Sequence, residues 1–293
     1  MFIATLIAAD RLSGGDIDSA RDAIAQAGGA PEAGVWIDEG VAADIRFAGD
    51  MAAVRLVLEG LSDTIDVIVQ PDAARRKRLL VADMDSTMIT IECIDELADY
   101  AGIKAQVADV TERAMRGELD FEGALDARVA LLKGLPASVI DQCYAERVKI
   151  MPGAVPLIRT MRAHGGRCVL VSGGFTVFAD RVAAEIGFDR ALSNTLLIEG
   201  DALAGAVARP IIGAAAKKET LLAELDGLGL FTDSALAVGD GANDIPMIET
   251  AGLGIAYHAK PKTAAAAMAC INACDLTALL YAQAYPRREW VDA

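Results

Sequence analysis

The sequence predicts an α/β protein: a doubly wound parallel sheet with a helical cap, preceded by a small α+β unit of ferredoxin-like type. Three observations predict it. Residues 1–73 read in the order β-α-β-β-α-β. From Arg78 onward, short apolar runs alternate with helical segments, the pattern of a parallel sheet covered on both faces. One stretch, residues 91–150, breaks that alternation and carries helical spacing with no strand signal.

Taken in order, Phe2 to Ala8 reads as a strand, and Ile17 to Gln26 as a helix stopped by Gly28-Gly29. Gly34 to Ile37 and Ile45 to Ala48 read as two strands, Met51 to Leu61 as a helix and Ile65 to Val69 as a further strand. Pro71 and the basic run Arg75-Arg76-Lys77-Arg78 mark a boundary, with the basic run expected to be a solvated linker. The chain therefore divides into 1–73 and 74–293.

In the second part, Leu79 opens an apolar run. Cys168–Ser172, Ala235–Gly239 and Gly252–Ala256 are buried strands, each leading into a helix. Between them, Glu92 to Ala101, Gln106 to Met115, Phe121 to Leu132 and Ala137 to Val148 are helices punctuated by Gly102, Gly117 and Gly134. An all-helical insertion at the carboxyl end of a sheet reads as a cap over a site. Asn194 to Val207 has β character with a Gly200-Asp201 turn, a hairpin.

Composition limits what the chain can do. A net charge of −15 argues against nucleic acid, since the four-residue basic run is too short to reverse it. Hydrophobic residues make up 54%, enough for a sizeable core. No apolar run reaches the roughly 18 residues of a membrane span. The start MFIATLIAAD meets charge too early for a signal peptide. Five cysteines without a paired framework fit a reducing compartment, so a cytoplasmic protein is expected. Cys270 and Cys274 lack two further zinc ligands nearby.

The chemistry concentrates in Leu79-Leu-Val-Ala-Asp83-Met-Asp85-Ser-Thr87. In a continuing strand Asp83 and Asp85 would share a face. Carboxylates about 4 Å apart repel by about 1 kcal/mol in water and more where water is excluded, so a cation or a proton is expected between them. Gly239-Asp240-Gly-Ala-Asn243-Asp244 ends a later strand and adds acids to an oxygen-rich Mg²⁺ site. Ser172-Gly173-Gly174 offers a hydroxyl and free N–H groups at a helix start, which suits a phosphate. Lys217 and Lys218 open a helix, and the sequence leaves open which of them points inward.

Together these four segments resemble, in order and spacing, the motifs of the haloacid dehalogenase superfamily in its phosphatase branch. The resemblance covers about residues 78–285. A D-x-D-S-T segment alone arises by chance in roughly a few per thousand chains of this length. The cap narrows the resemblance to the phosphoserine phosphatases. Glu92 follows the first aspartate at that family's spacing, and Ala114-Met115 through Phe121, then Arg128-Val129, match its cap signature. Val171–Phe175 and Ala259-Lys-Pro261 are also similar to that family.

The resemblance implies hydrolysis of O-phospho-L-serine through an aspartyl-phosphate, the last step of serine biosynthesis. Asp83 would be the nucleophile and Asp85 the general acid and base. Mg²⁺ would be held by Asp83, the backbone carbonyl of Asp85 and Asp240. Ser172, the Gly173 N–H and Lys217 would hold the phosphoryl oxygens, with Asn243 orienting the substrate. Asp244 would support the metal shell and Lys217 rather than bind the metal. Glu92 would meet the substrate ammonium and Arg128 its carboxylate, with Met115 and Phe121 shielding the pocket. Phosphothreonine, phosphohomoserine or another small phosphate is the alternative substrate, and a silent binding protein the alternative class. The N-terminal unit resembles ACT-like domains. It would bind an amino-acid effector, mediate a homodimer, or only pack on the catalytic part.

Overall fold

The computed structural model describes residues 1–292, with the side chain of Met115 outside the description. The first unit is an antiparallel sheet with two helices. Its elements are β1 (Phe2–Ala8), α1 (Gly14–Gln26), β2 (Ala30–Pro31), β3 (Val35–Asp38), β4 (Ala42–Ala48), α2 (Met51–Leu58) and β5 (Ile65–Pro71). The sheet runs β2-β4-β1-β5, with β3 also on β4. Ser13 and Asp16 close α1 with a capping box, and the Asp50 carboxylate accepts from the Ala52 and Ala53 N–H groups at the start of α2.

Period-2 alternation splits the sheet into two faces. Ala4, Leu6, Ile45, Phe47, Val67 and Val69 pack with Ile17, Ile24, Val54 and Leu58 of the helices. Ile7, Ala42 and Ile68 join the core of the larger unit. The expected order of elements therefore holds, with β2 added and α2 ending before Leu61. The third strand begins at Val35 rather than Gly34, and the fourth begins three residues before Ile45.

The basic run differs from expectation. Arg75 is not solvated: its guanidinium bonds the Asp44 carboxylate, the Thr5 hydroxyl, and the Ala282 and Tyr281 carbonyls. Lys77 is buried and donates Nζ–H to the Asp233 carbonyl (2.8 Å). A charge run is exposed by default, but here two of its members are drawn inward by acceptors from neighbouring segments.

The second unit starts with β6 (Leu79–Ala82). The cap follows as α3 (Cys93–Tyr100), α4 (Lys104–Met115), α5 (Phe121–Leu131) and α6 (Ser138–Arg147). The chain then returns through α7 (Ala154–Ala163), β7 (Arg167–Phe175), α8 (Thr176–Ile186) and β8 (Arg190–Asn194). The hairpin β9 (Leu196–Glu199) and β10 (Ala202–Val207) meets the end of α5 through Gly134 N–H to Leu203 O and Leu203 N–H to Leu135 O. The last elements are α9 (Ala214–Leu228), β11 (Ala235–Gly239), α10 (Ile245–Thr250), β12 (Leu253–Tyr257), α11 (Pro261–Ala266), β13 (Ala269–Ile271) and α12 (Ala278–Ala282).

The parallel sheet has the order β13-β12-β11-β6-β7-β8. Its strands are buried on both faces: Leu80, Leu170, Leu236 and Val238 face one core, and Leu79, Val81, Val169, Val171 and Ala237 face the other. Strand order reverses at β6, which lies between β7 and β11. The crevice beyond the carboxyl ends of these three strands is where ligands bind in such sheets. Among the described residues, no helix is long and apolar enough to cross a membrane.

Candidate active site

The loop after β6 is the centre of the site. Strand pairing carries one residue past Ala82, since the Asp83 N–H donates to the Val238 carbonyl (3.0 Å). The chain then turns about the Met84 carbonyl, which accepts from the N–H groups of Thr87, Met88 and Ile89. Asp83 and Asp85 therefore do not share a face of a continuing strand, as their parity suggested. The turn brings both to one cavity instead, because Ser86 takes a left-handed conformation (φ 54°) that reverses the backbone.

Asp83 is buried, and its Oδ1 accepts from the Met84 N–H (2.8 Å) and from Lys217 Nζ (2.6 Å). Lys217 is the inward lysine of α9, fully buried, while Lys218 is exposed. Its ammonium also meets Asp244 Oδ1 at 2.6 Å. Burial alone would lower its pKa, but Asp244 and Asp83 together raise it, so it stays charged. Asp244 Oδ2 accepts from the Gly241 N–H (3.0 Å), so both of its oxygens are engaged.

Carboxylate oxygens of Asp83, Asp240 and Asp244 lie within 4.8 Å of one another, all three residues buried. Burial, with Asp83 and Glu92 nearby, pushes Asp240 up to about 7. An oxygen-only donor set of three buried carboxylates fits a hard divalent ion such as Mg²⁺.

Asp85 is half-buried, and its Oδ1 accepts the Cys93 N–H (3.2 Å) at the start of α3. Burial, then Glu92 and Asp83, raise its pKa well above its ordinary value, which favours the protonated form. Ser172 ends inside β7 with its Oγ accepting the Gly174 N–H (2.8 Å); the cavity wall at this point is Gly173 and Gly174.

The cap supplies the opposite wall. A cavity of about 450 Å³ is lined by Asp83, Asp85, Asp240 and Asn243 from the sheet side and by Glu92, Phe121 and Arg128 from the cap. Phe121 can approach because the facing residues are glycines: a Cβ on Gly173 or Gly213 would stand 3.0 Å from its ring. Glu92 accepts the Ser86 hydroxyl (2.8 Å), and burial raises its pKa. Arg128 donates Nε–H to the Ala124 carbonyl (3.3 Å), and burial lowers its pKa. The Met115 side chain lies outside the described residues.

Lys260 also lines the cavity, and its N–H reaches the Asp240 carbonyl (3.3 Å). The resemblance picked out Ala259-Lys-Pro261 but gave the lysine no role; the structure brings it beside Glu92 and Asp240. The Ser86–Glu92 bond was equally invisible, because it depends on the left-handed turn.

A family model for haloacid dehalogenase-like hydrolases matches residues 80–249, more than half of the chain. The chain belongs to the haloacid dehalogenase-like hydrolases. Among relatives of this hydrolase, the phosphoserine phosphatase of Haemophilus influenzae is 48% identical over 202 residues, which are 69% of this chain and 64% of that protein. The chain thus spans slightly less than two thirds of that relative's length. A solved family hydrolase from Salmonella enterica serovar Typhi superposes with a TM-score of 0.83 at 29% identity, covering 96% of this chain and 98% of that one. A solved structure titled probable phosphoserine phosphatase, from Vibrio cholerae, gives a TM-score of 0.75 at 35% identity, covering 96% and 88%. Both solved structures match through the N-terminal unit, so this hydrolase shares with them the parallel sheet and the α+β unit ahead of it.

Proposed function

We propose that this hydrolase removes phosphate from O-phospho-L-serine through an aspartyl-phosphate intermediate, with Mg²⁺ bound. The observation that carries the proposal is the pairing of Glu92 and Arg128 on the cap side of a cavity whose floor is Asp83 and Asp85. A phosphorylated amino acid presents an ammonium and a carboxylate beside its phosphate, and the cap wall offers one partner for each of those two while the floor faces the phosphate. The names of the Haemophilus and Vibrio relatives support the same substrate.

Asp83, stripped of water and held by the Met84 N–H, attacks phosphorus in line. The Asp85 carboxyl, whose pKa burial raises, donates a proton to the departing serine oxygen. The same carboxylate then takes a proton from the water that cleaves the acyl phosphate. Lys217, charged and fixed between Asp83 and Asp244, offsets the negative charge of the transferring group. The Gly173 N–H and the Ser172 hydroxyl donate to phosphoryl oxygens, and Asn243 orients the substrate from the wall. Asp83, Asp240 and the backbone carbonyl of Asp85 would hold Mg²⁺, with Asp244 in support. The bound ion supplies charge neutralisation that lets a carboxylate approach a phosphate dianion.

Phe121 excludes water from the covered pocket, and the proposal gives Met115 the same role. Phosphothreonine and phosphohomoserine are the competing substrates, because one methyl or methylene is worth only about 1–3 kcal/mol of discrimination. We propose further that residues 1–73 form a unit separate from 74–293, with an amino-acid effector and a homodimer interface as its candidate roles.

Phosphate release tests the proposal. The wild-type protein with Mg²⁺ should release phosphate from O-phospho-L-serine, and EDTA should stop it. Asp83→Asn should lose at least about 10⁴-fold in turnover while keeping the fold. Release that persists in EDTA, or near-normal turnover by the variant, removes the metal or the nucleophile from the mechanism. Faster turnover of phosphothreonine or phosphohomoserine would replace the substrate.

A further inference from the structure

Two consecutive residues of the catalytic loop hold two consecutive residues at the start of the cap. Asp85 Oδ1 accepts the Cys93 N–H (3.2 Å), and the Ser86 hydroxyl donates to Glu92 Oε1 (2.8 Å). Glu92 stands at the N-cap position of α3, where an acidic side chain ordinarily accepts a helix N–H, yet it makes no such bond. Asp85 instead accepts the N–H of the first helical residue, Cys93, and the Glu92 carboxylate turns to Ser86 and the cavity.

Ser86 reaches Glu92 only because its backbone is left-handed (φ 54°), a conformation that costs a non-glycine residue on the order of 1 kcal/mol. Its own N–H donates to the Ile91 carbonyl (3.1 Å), which closes the loop directly before Glu92. Glycine would be the favoured residue for that backbone. A serine there keeps a strained conformation in exchange for one hydroxyl aimed at one carboxylate.

We infer that Ser86 is a positioning residue for substrate selection: by fixing Glu92 Oε1 it turns Oε2 toward the cavity, where it receives the ammonium of an amino-acid phosphate. The inference rests on the reading of Glu92 as the partner of that ammonium. It adds that selection is set by the same loop that carries Asp83 and Asp85, so that recognition of the amine and placement of the acid are linked through adjacent residues.

The test compares wild type, Ser86→Ala, Ser86→Gly and Glu92→Gln on O-phospho-L-serine and on p-nitrophenyl phosphate, which has no amine, all with Mg²⁺. The readout is the ratio of kcat/KM for the two substrates. Glu92→Gln should lower that ratio by about 10–100-fold, and each Ser86 variant by about ten-fold, mostly through KM. Ser86→Gly relieves the left-handed backbone while removing the hydroxyl, so a loss shared with Ser86→Ala is not a folding effect.

A second readout is the pH profile. Burial most strongly raises the Glu92 pKa, and Asp83 and Asp95 push it the same way, while Ser86 and Lys260 oppose them. Removing the hydroxyl raises it further, so the acid limb of kcat/KM for phosphoserine should move to higher pH in both Ser86 variants. If Glu92→Gln lowers the ratio and neither Ser86 variant does, the positioning role is wrong and the reading of Glu92 stands. If Glu92→Gln leaves the ratio unchanged, the reading of Glu92 falls and takes this inference with it.

Discussion

Arg128 enters the cavity from the last turns of α5, and the hydrogen bond it makes among the described residues uses only Nε. Its terminal nitrogens are left to a ligand, in the planar geometry that suits a carboxylate. Arg128→Ala should therefore cost about 10–100-fold in kcat/KM for phosphoserine and markedly less for an aryl phosphate; equal losses for the two substrates would remove it as the carboxylate partner. At this scale, much of the site was legible before the fold. Asp83, Asp85, Glu92, Phe121, Arg128, Gly173, Asn243 and Asp240 all line one cavity. The carboxyl ends of neighbouring parallel strands gather Asp83, Asp85, Gly173, Asp240 and Asn243, and the cap laid over them supplies Glu92, Phe121 and Arg128. What was hidden depends on torsions and on turns. The hydroxyl of Ser86 finds Glu92 through a positive φ, and the Ser172 oxygen faces back to its own Gly174.

Elements were legible where a periodic apolar pattern had a single solution. The four cap helices and β11 fell where their spacing put them. Boundaries failed where pairing rather than pattern decides them. Three residues ahead of Ile45 join β4 because they pair with β1 and with β3 across the edge, and the two-residue β2 exists only through its pairing with β4. The carboxyl end of β7 shows how closely elements meet at the site. A Cβ placed on Gly174 would stand 2.7 Å from Asp85 Oδ2, 3.0 Å from Ser172 Oγ and 3.2 Å from the Met84 Cε. The first two belong to the groups proposed for proton transfer and phosphate binding, so under that proposal neither can yield freely. Gly174→Ala should lower kcat by at least about ten-fold, with a stability loss of about 1–3 kcal/mol from overpacking. A variant with normal kcat would mean that the Asp85 carboxylate tolerates displacement, which a proton donor aligned to a leaving oxygen does not.

Across the whole molecule, the N-terminal sheet is more than an appendage. It covers the edge of the parallel sheet: the Asp66 carboxylate on β5 accepts the N–H groups of Asn272, Ala273 and Cys274, directly after β13. The connector with Arg75 and Lys77 bonds to both units, to Thr5 and Asp44 on one side and to Tyr281, Ala282, Gln283 and Asp233 on the other, a burial that composition alone could not reveal. Lys77 pays for its place with desolvation, which pushes its pKa down to about 8 from 10.5, and Asp233 offsets this only in part. The folded chain therefore binds this proton less tightly than the unfolded chain. The cost to folding is fully present below about pH 8 and is relieved as pH rises toward 10.5, a window worth on the order of 2 kcal/mol. Lys77→Met has no such titration and keeps an apolar chain of similar length. The stability of wild type relative to Lys77→Met should thus rise between pH 8 and pH 10, read as the difference in Tm at each pH. Taking the difference cancels the tyrosines that burial raises, such as Tyr257 at about 12, whose contribution runs the other way at high pH. A difference in Tm that stays flat across this window would place the Lys77 ammonium in water, and the connector would then be the solvated linker that its charge first suggested.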